Sequence, residues 1–177
     1  MRRISVVGTS GSGKSWVATK ISSKLGLPYL ELDALRHQPG WQPLPDAEFL
    51  DQVCRFVEQD GWVVDGNYFS VVTGPGIWPS ADTVVWVDPP RAAVMRQVIW
   101  RTCKRGVLRQ ELWNGNRESL RDVFRWDPQK SIIRWSWTSY GVVRERYQTS
   151  MGNKRWQHLQ FVRLRSQDDI DRFLDRL

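Results

Sequence analysis

The sequence predicts a three-layer α/β fold around a five-stranded, mainly parallel sheet. Three observations carry this. Short apolar, β-branched runs alternate with helical patterns along the chain. Two of those runs, WVVD (62–65) and TVVWVD (83–88), are apolar at successive positions, as expected of strands covered by helices on both faces. The first run leads directly into GTSGSGKS (8–15), which fits the phosphate-binding pattern G-x-x-x-x-G-K-[ST] and is itself followed by a helical pattern.

RISVV (3–7) reads as a buried strand ending at Gly8. Lys14 to Leu25 is helical, with Val17, Ile21 and Leu25 four apart and Gly26 as the stop. PYLEL (28–32) is a second strand and QPGWQPLP (38–45) a loop. Asp46 is expected to cap a helix whose apolar face is Phe49, Leu50, Val53, Phe56 and Val57. Strands 62–65 and 83–88 follow, then a helix over 89–106 with proline near its start and Gly106 at its end. Residues 107–128 read as a polar loop with one short helical stretch, and 129–148 as helix. HLQFVRLR (158–165) alternates as a fifth strand. A closing helix opens with Ser166 and Asp169 at capping-box spacing. No repeat or linker interrupts 1–177, which reads as a single domain.

With 41% apolar and 25% charged residues, the composition is that of a soluble globular protein, and no run approaches the roughly 20 residues that span a bilayer. A membrane partner is therefore not expected, and the expected location is cytoplasmic. Cys54 and Cys103 fit neither a disulfide framework nor a zinc site and read as small helix residues. Most of the eleven tryptophans are expected to fill a core or an interface. The net charge of +7 is uneven: residues 1–90 carry 7 Lys/Arg against 10 Asp/Glu, and residues 91–177 carry 19 against 9. Such a field attracts polyanions, which include both nucleotides and nucleic acids.

In an open parallel sheet, ligands gather beyond the carboxyl ends of the strands. Gly8, Asp33, Asp65 and Asp88 fall there. Gly8, Thr9, Ser10, Gly11, Ser12 and Gly13 form a loop whose N–H groups meet a phosphate, Lys14 neutralises the β- and γ-phosphates of ATP, and Ser15 offers a hydroxyl to Mg²⁺. Asp65, at a buried strand end beside Gly66, is the preferred second Mg²⁺ residue, directly or through water. Asp88 competes for that role but reads better as a cap for the next helix. Asp33 and Arg36 follow the second strand, where a base for an acceptor hydroxyl or a clamp for an acceptor phosphate belongs. His37 is expected to be an exposed loop residue, and Glu31 to face solvent or a basic neighbour. Arg101 and Arg105 share a helix face and suit a role in stabilising a transferring phosphoryl group. Arg96 points elsewhere, and Arg109, Arg117 and Arg121 follow in the polar segment.

GTSGSGKS, ELDALRHQPGW, WVVDGNY, TVVWVDPPR and ELWNGNRE together resemble the adenylate kinase-related P-loop proteins called topology modulation proteins, over nearly the whole chain. More distantly the chain is similar to nucleoside monophosphate kinases. The resemblance implies a P-loop NTPase fold of adenylate kinase type, an acceptor-binding segment at about 31–61 and a short lid at about 106–128. It also implies that Asp33 and Arg36 contact the acceptor, and that Arg101 and Arg105 sit at the lid base beside adenine and phosphate. DGNYFSV lacks the arginine with which adenylate kinases grip a monophosphate, and the lid segment lacks a zinc-binding cysteine cluster.

The leading expectation is an ATP- and Mg²⁺-dependent kinase acting on a nucleotide or nucleotide-like acceptor. One alternative is a small-metabolite hydroxyl kinase of the gluconate or shikimate kinase kind, with Asp33 as base. The other is an ATP-binding regulator whose basic half lies on nucleic acid, and this is not favoured. The lack of N-K-x-D and D-x-x-G argues against a switch GTPase, and the short length with no acidic pair after the third strand argues against a motor ATPase.

Overall fold

The computed structural model describes residues 1–108, 113–116 and 132–177, with the side chains of 105–108 and 132 excepted. Its five strands are β1 (Arg3–Val7), β2 (Tyr29–Glu31), β3 (Trp62–Asp65), β4 (Thr83–Val87) and β5 (Gln160–Leu164). They form one sheet in the order β2-β3-β1-β4-β5, and every pairing is parallel. The described helices are α1 (Lys14–Leu25), α2 (Leu32–Arg36), α3 (Asp46–Val57), α4 (Phe69–Thr73), α5 (Arg91–Leu108), α6 (Ile132–Met151) and α7 (Gln167–Asp175).

Strand alternation divides the core between the two faces. Ile4, Val6, Val63, Val85 and Val87 pack with Val17 and Ile21 of α1 and Ile170 and Leu174 of α7. Val7, Val64, Val84 and Trp86 point the other way, onto Phe49 and Val53 of α3, Tyr147 of α6 and Trp78. Ile4, Val6, Val17, Ile21 and Val85 are wholly buried, and each such side chain contributes about 1.5–3 kcal/mol of transfer free energy. Two indole N–H groups buried in this core find partners: Trp78 donates to Ser5 Oγ at 3.2 Å and Trp62 to the Val57 carbonyl at 3.1 Å.

The register decides where chemistry can occur. Val6 and Glu31 both stand opposite Asp65, so the ends of β1, β2 and β3 meet along one edge. Ser166 accepts from the Asp169 N–H while Asp169 accepts from the Ser166 N–H, the reciprocal cap predicted for the last helix. Asp46 opens α3 but caps nothing; Pro45 takes the cap position and the Asp46 carboxylate goes to Arg36. The described tryptophans divide between core and surface. Trp62, Trp78, Trp86 and Trp156 are buried, while Trp16, Trp41, Trp100, Trp135 and Trp137 are exposed. Among the described residues no helix is long and apolar enough to cross a membrane.

Candidate active site

The glycine loop is shaped by backbone conformations open to glycine and by tight neighbours. Gly11 and Gly13 are left-handed, at φ +82° and +91°. A Cβ on Gly11 would lie 2.2 Å from Val98 Cγ2, so α5 lies directly against the loop. A Cβ on Gly8 would lie 2.5 Å from the Val87 carbonyl oxygen. The Ser12 N–H closes the turn onto the Thr9 carbonyl at 3.1 Å. The Gly8 N–H donates to Asn67 Oδ1 at 3.2 Å, and the same oxygen accepts from the Tyr147 hydroxyl at 3.1 Å, which ties the loop to β3 and α6. Thr9 Oγ1 and Ser12 Oγ are buried without a hydrogen-bond partner. No side chain caps α1, so its first N–H groups remain for an anion.

Lys14 is 9% exposed, and its Nζ lies 3.8 Å from Asp65 Oδ1. Asp65 is buried at the end of β3, where the Tyr29 hydroxyl donates to its Oδ2 at 3.3 Å. Burial pushes the Asp65 pKa up, against the pull of Lys14 and the hydroxyls of Ser15 and Tyr29. Its Oδ1 has no hydrogen-bond partner. A buried carboxylate oxygen with no hydrogen bond, paired only at 3.8 Å with Lys14 and close to the Ser15 hydroxyl, fits the outer shell of a magnesium ion. Asp88 does not cap α5. Its Oδ2 accepts from Arg163 Nε at 2.9 Å and lies 3.3 Å from Arg144 Nε, so this carboxylate is committed to β5 and α6.

Across the sheet edge, Asp33 lies on α2, a five-residue helix that follows β2 directly. Its Oδ1 accepts from the Tyr68 hydroxyl at 3.0 Å. Arg36 turns toward its own loop: Nη1 donates to the Leu44 carbonyl at 2.6 Å and pairs with Asp46 Oδ1 at 2.6 Å, and the guanidinium covers the Phe49 ring. Glu31 is half-buried, with the basic Lys14 among the charges near it. Burial pushes its pKa up, the Trp113 indole N–H opposes this, and nearby Asp65 and Asp33 add to the rise. His37 stacks on Trp113, with centroids 5.7 Å apart, and meets Trp41 edge-on.

Arg101 Nη2 makes a long 3.5 Å contact with Ser10 Oγ, which brings the predicted lid-base arginine onto the phosphate loop. Arg96 is exposed, as expected. The Arg105 side chain and all of Arg109, Arg117 and Arg121 lie outside the described residues, as does most of the lid segment. Sequence reasoning missed Tyr29, Tyr68, Asn67 and Tyr147. Only the GNY that follows Asp65 hinted at two of them.

No family model matches the chain. It is 26% identical over 140 residues to the shikimate kinase of Persephonella marina, an alignment covering 70% of this chain and 80% of that protein. Among solved structures, a shikimate kinase from Aquifex aeolicus aligns with a TM-score of 0.55 at 13% identity, covering 98% of this chain and 92% of that one. A gluconokinase from Sinorhizobium meliloti aligns with a TM-score of 0.51 at 16% identity, covering 99% and 94%. The fold is that of the P-loop kinases. The three proteins are kinases of small metabolites, and the likeness to adenylate kinase-related proteins rests on the sequence motifs alone.

Proposed function

We propose that this chain is an ATP-dependent kinase that phosphorylates a hydroxyl of a small, phosphate-free metabolite. One observation carries the reading. Asp33 stands beyond β2 with an ordered carboxylate, while Arg36, the arginine that a phosphate-bearing acceptor would need there, is held by Leu44 and Asp46. The sequence agrees, since it has no lysine or arginine between Arg55 and Arg91, a stretch that includes β3, α4 and β4. The similarity to a shikimate kinase supports the same class of acceptor.

In this reading the N–H groups of residues 8–15, those of Gly8 and Ser12 excepted, cradle the phosphates of ATP, and Lys14 neutralises the β- and γ-phosphates. Ser15 and Asp65 would hold Mg²⁺, which when bound supplies charge neutralisation across the phosphates. Tyr68 donates to one oxygen of Asp33 and so orients the carboxylate. Asp33 takes the proton of the acceptor hydroxyl as its oxygen bonds to the γ-phosphorus. The bond from that phosphorus to the β–γ bridging oxygen breaks, and ADP leaves. Arg101 balances charge on the transferring group. Asp33→Asn tests the assignment: acceptor-dependent ADP formation should fall by about 10²–10⁴-fold, with ATP affinity retained. Unchanged turnover would remove Asp33 from the reaction.

A further inference from the structure

The segment Trp113–Asn116, which lies within ELWNGNRE, takes no part in the chemistry above, yet both its asparagine side chains bond to the neighbouring loop. Asn114 Nδ2 donates to the carbonyls of Ala34 at 3.1 Å and His37 at 2.6 Å. Asn116 Oδ1 accepts from the Trp41 N–H at 2.9 Å, and its Nδ2 donates to the Gln38 carbonyl at 3.0 Å. All four bonds end on the backbone of residues 34–41, the stretch that follows Asp33 through the end of α2 and into the next loop. Asn114 and Gly115 are both left-handed, at φ +54° and +78°, and the resulting curl lets both amides meet the same loop.

The loop needs such partners. Pro39 has no N–H, and Gly40 and Trp41 are left-handed at φ +71° and +59°, a strained conformation for tryptophan. Backbone groups in so irregular a turn cannot all pair with one another, and side-chain amides are a dry substitute for water. Asn116 is 3% exposed, so its bonds are shielded from solvent competition. Trp113 extends the contact, since its ring stacks on His37.

We infer that Asn114 and Asn116 are positioning residues for the acceptor: they clasp residues 34–41 into the shape that receives it. The inference rests on the kinase reading for the existence of an acceptor. The decisive variant is Asn114→Gly, because glycine keeps the left-handed backbone while removing both side-chain bonds. Asn116→Asp is the companion; it still accepts from Trp41 but can no longer donate to Gln38, and it sets a buried carboxylate oxygen against that carbonyl.

Two readouts apply. Hydrogen exchange of the free protein should quicken across 36–44 in both variants, with thermal midpoints showing that each is folded. The KM for the acceptor should rise by about ten- to a hundredfold in Asn114→Gly, as expected for two lost hydrogen bonds, and at least as much in Asn116→Asp, while the KM for ATP stays the same. Unchanged exchange would overturn the clasp. Equal rises in both KM values, or a fall in kcat alone, would overturn the positioning role. A parent enzyme with no acceptor-dependent ADP formation would instead sink the kinase reading, and the exchange arm would then decide the clasp alone.

Discussion

Gly11→Ala measures how closely the phosphate loop is pressed onto α5. The substitution brings two costs. At φ +82° a non-glycine residue is left-handed, which costs about 1–2 kcal/mol. The new methyl would also sit 2.2 Å from Val98 Cγ2 and 3.3 Å from the Val94 carbonyl oxygen, well inside the roughly 3.5–4.0 Å of a carbon contact. Forcing that room open costs about 1–3 kcal/mol more. The sum, about 2–5 kcal/mol, is a large part of a total stability of about 5–15 kcal/mol. Gly26→Ala isolates the first cost, because Gly26 is also left-handed, at φ +64°, but has nothing within 4 Å of its Cβ position. With a urea slope of about 2 kcal/mol per molar, the denaturation midpoint should fall by about 1–2.5 M for Gly11→Ala and about 0.5–1 M for Gly26→Ala. ATP affinity should fall only in the first. Equal midpoints, or ATP affinity untouched in Gly11→Ala, would refute the packing of α5 over the loop.

Asp65→Asn should cut turnover by about 10²-fold or more while metal-free ATP binding persists, read by paired kinetics and titration. It also carries a stability signature. Burial raises the folded-state pKa of Asp65, so its penalty is absent at acid pH and grows as pH rises through that pKa. Urea midpoints of variant and parent should therefore converge in acid and separate, in the variant's favour, as pH rises. Arg101→Ala should lower turnover by about 10³-fold in steady-state assays, with far less effect on folding. Asp82 behaves in the opposite sense to Asp65. Burial works to raise its pKa, but bonds from the Thr83 hydroxyl and the Arg2 and Arg3 N–H groups prevail and hold it low. Discounted for its exposure, Asp82→Ala should cost about 1 kcal/mol at neutral pH. That difference should vanish as pH falls through the lowered pKa, as followed by thermal unfolding across pH.

Local signals located the phosphate half of the site. β1, α1 and β3 begin and end where strand pattern, helical spacing and terminal glycines put them, and parallel topology then sends Gly8, Asp65 and the start of the acceptor segment to one edge. α2 and α4 went unseen because five residues are too few to display a helical period. Asp46 and Asp88 read as caps because caps are the usual local use of aspartate before a helix. Their arginine partners lie 10, 56 and 75 residues away, a separation that no local pattern encodes. For the same reason Tyr68 on Asp33, and Asn67 between Gly8 and Tyr147, emerged only from the fold. The proposal of a metabolite rather than a nucleotide as acceptor rests on Arg36 being engaged in its own loop, a pairing no local pattern encodes, and the similarity to a shikimate kinase points the same way.

The central claim is tested most directly by the rate of ADP formation from ATP·Mg²⁺ with each member of a panel of acceptors, compared with water alone. The panel should hold phosphate-free polyhydroxy acids, sugars and nucleosides beside nucleoside monophosphates and duplex DNA. The account predicts that a phosphate-free hydroxyl compound raises the rate well above the water background, that the phosphorylated compound is recovered, and that both are lost in Lys14→Ala and Asp33→Asn. Stimulation by a nucleoside monophosphate alone, or by DNA alone, or by no member of the panel, would contradict it.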